Sequence, residues 1–201
     1  MKKLFNIKIA LVSLMATALF SSCLKDKSRE YHFEDNAPVV DFALAANKGT
    51  ALQTAALGAS TGKINVNFLV TVQSPSPTTA AVTVNASLMT QAQLTALAPT
   101  YTLLPASTYT ITGGSTNVTI PPGTGQPVVA SATVPIIGAV PATLAQGQGV
   151  IQFVVDAAAV KTLQTANPTT IYALPLIINS ADGLGTIVDQ FNKLVYKVTV
   201  P

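Results

Sequence analysis

From Pro38 onward the chain alternates apolar and polar residues with a period of two, the signature of strands with one face buried. Val40, Phe42 and Leu44 alternate with Asp41 and Ala43, which puts Asp41 outward. The clearest face is Ile64, Val66, Phe68, Val70 and Val72, with Asn65, Asn67 and Thr71 opposite. Val82, Val84, Ala86 and Leu88 repeat it, backed by Thr83, Asn85 and Ser87. Thr110–Thr112 and Thr116–Ile120 flank Gly113-Gly114-Ser115, which reads as a hairpin turn. Val128, Ala130, Ala132, Val134 and Ile136 suggest a strand made irregular by Pro127 and Pro135. Three more follow at Ile151–Val155, Leu174–Ile178 and Leu194–Val200.

Two segments break the alternation. Thr90-Gln91-Ala92-Gln93 has the form of a capping box, and Pro99 stops the helix that follows. Asp156 can cap a helix over Ala157–Gln164, ended by Asn167-Pro168. Each precedes a tyrosine with Leu-Pro close behind, Tyr101…Leu104-Pro105 and Tyr172…Leu174-Pro175, as if one crossover device were used twice. Seven or more short strands with Gly/Pro/Asn turns predict an all-β fold. We expect an immunoglobulin-like Greek-key β-sandwich with one or two short helical crossovers. A closed barrel is the alternative, but the irregular strand spacing gives no up-and-down repetition. Residues 38–201 suffice for one such domain.

The start of the chain differs in kind. Met1-Lys2-Lys3 and Lys8 form a basic head, and the apolar run Ile9–Phe20 is shorter than the ~20 residues of a bilayer span. Residues 1–22 therefore read as a signal peptide cleaved after Ser22. The only cysteine, Cys23, follows directly. With no second cysteine it cannot form a disulfide within the chain, and charged residues follow it at once. Lipidation at Cys23 is the better reading, with ordinary secretory cleavage as the alternative. Phe20 stands where the common lipobox has an aliphatic residue. Two or three acyl chains, at ~0.8 kcal/mol per buried methylene, would anchor the protein stably. Leu24 replaces the aspartate associated with inner-membrane retention, so the outer membrane is expected. Residues 23–37 crowd Lys25, Asp26, Lys27, Arg29, Glu30, Glu34 and Asp35 into a flexible tether.

Charge changes the picture once the leader is set aside. Three of the eleven basic residues lie in it, leaving eight against eight acidic ones. The mature protein is near neutral, with no basic footprint for nucleic acid. Candidate chemistry is sparse. Gly58-Ala59-Ser60-Thr61-Gly62-Lys63 is one residue short of a phosphate loop, and Ile64 replaces its Ser or Thr, so a turn is expected. His32, the sole histidine, lies in the tether and makes a poor metal site. A Ser-His-Asp triad therefore has no histidine in the domain. The domain's carboxylates are Asp41, Asp156, Asp182 and Asp189, of which Asp41 reads as an outward residue, Asp156 as a cap and Asp182 as a turn residue. The domain reads as non-enzymatic, with no cofactor and no metal. Tyr101, Tyr109 and Tyr172 are the candidate ligand-binding residues, with Phe191 beside them. Exposed and aligned, they would stack on sugars; buried, they pack and tie their hydroxyls to backbone. A bare sheet edge would favour docking instead.

Four separated pieces occur in a telling order. Tyr101-Thr102-Leu103-Leu104-Pro105 with Tyr109-Thr110-Ile111 is followed by Asn117-Val118-Thr119-Ile120-Pro121-Pro122-Gly123. Then come Tyr172-Ala173-Leu174-Pro175-Leu176 with Ser180-Ala181-Asp182-Gly183, and last Val195-Tyr196-Lys197-Val198. Over Val39–Val200 this resembles the Bacteroidetes lipoprotein domain-of-unknown-function family numbered 1735. Lys25-Asp26 after the cysteine also resembles that phylum's surface-export signal, without a second acidic residue directly after Asp26. The resemblance implies an immunoglobulin-like sandwich on a cell-surface, outer-membrane lipoprotein. Its relatives accompany glycan uptake or are fused to glycosidase-like or lectin-like domains, and here the domain would stand alone. No family catalytic residue carries over. The expected role is binding glycan or host polymer in polysaccharide uptake or adhesion. The alternative is a structural module that docks on another envelope protein through a sheet edge. Cys23→Ser is expected to move the exported protein from the membrane fraction to the soluble fraction on fractionation; a variant that stays membrane-bound would refute lipidation.

Overall fold

The computed structural model describes residues 38–74, 78–123, 134–183 and 185–201. The signal peptide, Ser22, Cys23, the tether with His32, and most of the strand expected at Val128–Ile136 lie outside them. Within them, eleven strands form two facing sheets, as the alternation requires. They are β1 (Val39–Phe42), β2 (Leu52–Ala56), β3 (Lys63–Gln73), β4 (Val82–Leu88), β5 (Tyr101–Leu103) and β6 (Tyr109–Ile111). After these come β7 (Val118–Ile120), β8 (Gln148–Asp156), β9 (Ile171–Asp182), β10 (Thr186–Ile187) and β11 (Lys193–Thr199). The first sheet has the order β10-β1-β3-β8-β6. The second runs β2-β11-β9-β4-β7, with β5 beside the start of β9.

Consecutive strands almost always belong to opposite sheets; β4 and β5 are the one exception. This corrects the hairpin expected at Gly113-Gly114-Ser115. β6 pairs with β8 and β7 with β4, so the turn arches from one sheet to the other. Gly113 and Gly114 supply the required positive φ, 75° and 71°. The pattern of alternation is the same for a hairpin and an arch, which is why periodicity did not separate them.

The inner faces are those read from the sequence. Val66, Phe68, Val70 and Val72 of β3 are buried against Leu174, Leu176 and Ile178 of β9 and Leu194, Tyr196 and Val198 of β11. Phe68 is the hub, its ring centroid 6.1 Å from Phe42, 5.5 Å from Phe153 and 4.5 Å from Tyr196. Tyr196 also donates its hydroxyl to the backbone carbonyl of Asn67 at 3.0 Å, joining the sheets across the core.

One helix covers the second sheet from outside, while the other two add Ala45, Ala157 and Val160 to the central core. α2 (Gln91–Leu97) has the expected capping box, Thr90 with Gln93, and lays Leu94 on Ala173 and Val195. It links β4 to β5 within one sheet, whereas α3 (Ala157–Ala166), capped by Asp156, carries the chain from β8 across to β9. The two look-alike segments are thus different devices whose strands end side by side, Tyr101 opposite Ile171. Pro175 sits inside β9 without loss, because the carbonyls of Ala173 and Pro175 face Leu104 N and Met89 N. Its missing N–H falls on that same side, in the break between β4 and β5. α1 (Ala43–Lys48), closed by Gly49 at φ 65°, replaces the strand continuation expected through Leu44.

Gly149 lets the sheets close. A Cβ there would stand 2.7 Å from Val118 Cγ2 and 3.0 Å from Ile120 Cγ1, so β7 packs directly on β8. Gly149→Ala is expected to overpack this contact and cost about 1–3 kcal/mol in urea unfolding. A variant of unchanged stability would show that β7 moves freely there.

Candidate functional site

The outer face of the first sheet holds the residues that depart furthest from their expected environment. Asn67, Leu69 and Thr71 of β3 are buried, 2%, 5% and 0% exposed, although alternation points them outward. Asp41 of β1, also expected outward, is only 2% exposed. For Asn67 and Leu69 the cause is a covering layer, in which Val134 and Leu144 pack on Leu69, Ala43 and Val150. Where β1 ends, residues 136–138 take over the edge of β3. Asn67 N donates to Ile136 O at 2.8 Å, and Gly138 N to Asn65 O at 3.0 Å.

A directed relay of amides fixes that layer. Thr112 Oγ1 donates to Gln152 Oε1 at 3.1 Å, and Gln152 Nε2 donates to Asn67 Oδ1 at 3.0 Å. Asn67 Nδ2 then donates to Pro135 O at 2.9 Å and Gly138 O at 3.1 Å. Beside the relay opens a cleft of about 990 Å³ between residues 139–147, the outer face of β8, and Thr119-Pro121-Pro122 after the arch. Its polar lining is made of amides and hydroxyls, among them Asn65, Thr112, Thr119 and Gln152, interleaved with Val140, Leu144 and Val150. Among the described residues, no carboxylate, ammonium, guanidinium, imidazole or thiol lines it. Asn65 faces the cleft and spends no side-chain hydrogen bond on the protein.

The tyrosines are not brought together. Tyr172 is buried in the central core, and Tyr109 is half-buried with its ring 5.5 Å from that of Phe153. Tyr101 packs beyond the second sheet, near Leu94. None of them lines the cleft, and Phe191 packs on the core edge. The carboxylates are equally dispersed. Asp156 accepts from Ala159 N at 3.0 Å as the expected cap, Asp182 accepts from Asn85 Nδ2 at 3.0 Å, and Asp189 is exposed. Among the described residues no three metal-ligating side chains converge. Gly58–Gly62 forms bends with positive φ at both glycines, leading into β3 as expected.

The cleft residues were missed because alternation assigns faces but cannot reveal that a distant loop covers one. The available signal was the long small-residue stretch Gly138–Gly147, too long for a simple connection.

No family model matches the chain, and no curated protein matches it. Solved structures share its fold. A protein of unknown function from Bacteroides ovatus is 15% identical at TM-score 0.50, over 82% of this chain and 52% of that one. A two-domain protein of unknown function from Bacteroides fragilis is 12% identical at TM-score 0.50, over 88% and 50%. A candidate carbohydrate binding protein from Bacteroides ovatus is 15% identical at TM-score 0.49, over 82% and 37%. The chain spans about a third to a half of these proteins' length. Identities this low speak for the fold alone.

Asp41 is the carboxylate most deeply buried among the described residues. Burial raises its pKa, opposed by hydrogen bonds from Thr71 Oγ1 and Gln73 Nε2 at 2.5 Å each. Between the ordinary value of 3.8 and the raised one, the folded chain keeps a proton that the unfolded chain has lost. Stability therefore falls as pH rises through that window, and the loss persists above it. Asp41→Asn should be the more stable protein at pH 7 in urea titrations, with the difference closing below the ordinary aspartate value. A variant less stable than the parent at pH 7 would mean the two hydrogen bonds outweigh desolvation.

Proposed function

We propose that this chain is an exported lipoprotein of the Bacteroidetes family numbered 1735, anchored through Cys23 in the outer membrane. Its sandwich binds neutral glycan without chemistry, as an accessory to polysaccharide uptake or adhesion. The observation that carries the ligand class is the cleft lining. Amides and hydroxyls donate and accept toward sugar hydroxyls, and the interleaved Val and Leu side chains meet the apolar faces of pyranose rings. A polyanion would find no counter-charge there. The non-enzymatic reading rests on the sequence, whose sole histidine, His32, precedes the domain and whose domain carboxylates are only four aspartates. Because the tyrosines lie apart, recognition runs through hydrogen bonds rather than an aromatic platform.

Affinity electrophoresis of the exported protein in gels containing soluble neutral polysaccharides is the direct test. Retardation by at least one neutral glycan is expected, with little by sulfated or uronic polymers. Asn65→Ala should weaken it about 5–10-fold, the equivalent of one lost hydrogen bond of ~1–1.4 kcal/mol, without changing the urea midpoint. No retardation by any neutral glycan, or retardation untouched by Asn65→Ala and Thr119→Ala together, would sink the assignment to this cleft.

A further inference from the structure

The free edges of the two sheets are protected unequally. β6, β7 and β10 are two or three residues long, too short to seat another strand. β5 is equally short, and its open side is closed by a side chain. Gln91 Nε2 donates to Tyr101 O at 2.9 Å, and Leu103 N donates to Gln91 Oε1 at 2.9 Å, so one amide stands in for a neighbouring strand. β2 has no such protection. It runs five residues, Leu52–Ala56, with no charged residue, no proline and no register break against β11.

The register shows which backbone groups of β2 are open. Val195 N donates to Ala51 O at 2.8 Å, and Leu57 N donates to Thr199 O at 2.9 Å. Ala51, Gln53, Ala55 and Leu57 thus face β11, and strand alternation turns the N–H and C=O groups of Leu52, Thr54 and Ala56 away from the sheet. Leu52 N meets Thr50 Oγ1 at 3.2 Å, while Thr54 and Ala56 are exposed.

We propose that β2 is the seat of a reversible homodimer, pairing antiparallel with β2 of a second copy about a two-fold axis at Thr54. A second copy is the occupant because the open groups are symmetric about that residue. Thr54 meets Thr54 of the other copy, and Leu52 meets Ala56 in both directions, so the outward N–H and C=O groups pair in about six hydrogen bonds, two of them formed as Leu52 N exchanges Thr50 Oγ1 for the partner strand. The side chains agree with the backbone. A large Leu faces a small Ala, and a strand without charge does not repel itself. The strand joins two six-stranded sheets across the edges of both copies, an area small enough for a weak, exchanging contact.

Sedimentation velocity on the exported protein carrying Cys23→Ser should show a concentration-dependent monomer–dimer equilibrium. Adding Thr54→Lys places two ammonium groups opposite each other and should hold the protein monomeric with its unfolding midpoint unchanged, since Thr54 is exposed. Adding Thr54→Cys instead makes position 54 the sole thiol, with Cα atoms about 5.5 Å apart across the axis, inside the disulfide range. Mild oxidation should then link two copies at least ~10-fold faster than it links Ala56→Cys, whose two copies stand several residues apart. Three results overturn the proposal: a monomer at every concentration, equal crosslinking at 54 and 56, or a dimer that survives Thr54→Lys. A strand supplied by a different protein would give the first of these.

Discussion

Asn67 is the residue on which the other parts of the molecule depend. Its side chain accepts from Gln152 and donates to two carbonyls of the covering segment, its N–H holds Ile136, and its carbonyl receives Tyr196 from the opposite sheet. Two strands of the first sheet, the second sheet and the overlying layer thus meet at one amide. A buried amide of this kind is stable only when every donor and acceptor is met, and that demand fixes where each neighbour must lie. Remove the side chain and Pro135 O, Gly138 O and Gln152 Nε2 lose their partner together. The wall of the cleft is built on the same bonds.

That arrangement also explains the polarity of the cleft. Its wall is the outer face of a sheet whose polar side chains already satisfy one another, and only those at its margin, Asn65 above all, keep capacity to spare. Such a surface is suited to a ligand held by many modest hydrogen bonds, and ill suited to one steered by charge. The near-neutral composition of residues 23–201 agrees with it.

How much of this could be read from the residues follows from what alternation encodes. Val66, Phe68, Val70 and Val72 declare an inward face because nothing else in a strand produces that spacing. Thr90-Gln91-Ala92-Gln93 and Asp156 declare their helices because capping is a local hydrogen-bond problem solved within four residues. Gly113-Gly114 announced a reversal of the chain, but which strand each arm joins depends on partners far away in sequence. Asp41, Asn67 and Thr71 looked like solvent-facing residues for the same reason. The burial of Asn67 is decided by residues 135–138, and a polar residue facing a covering layer leaves the same trace as one facing water. Ala43–Lys48 shows the opposite failure: an alanine-rich run ending at Gly49 carried a local helix signal that the apparent strand through Leu44 masked.

The arching connectivity has a consequence for how the chain reaches its destination. β11, the final strand, lies inside the second sheet between β2 and β9, and β1 waits for β10. No early stretch can therefore complete a sheet with its own neighbours, and loop-closure entropy must be met over most of the chain before pairing is rewarded. Folding is accordingly slow and late. The second sheet closes only when β11 arrives between β2 and β9, so its two halves wait on the last strand to be joined.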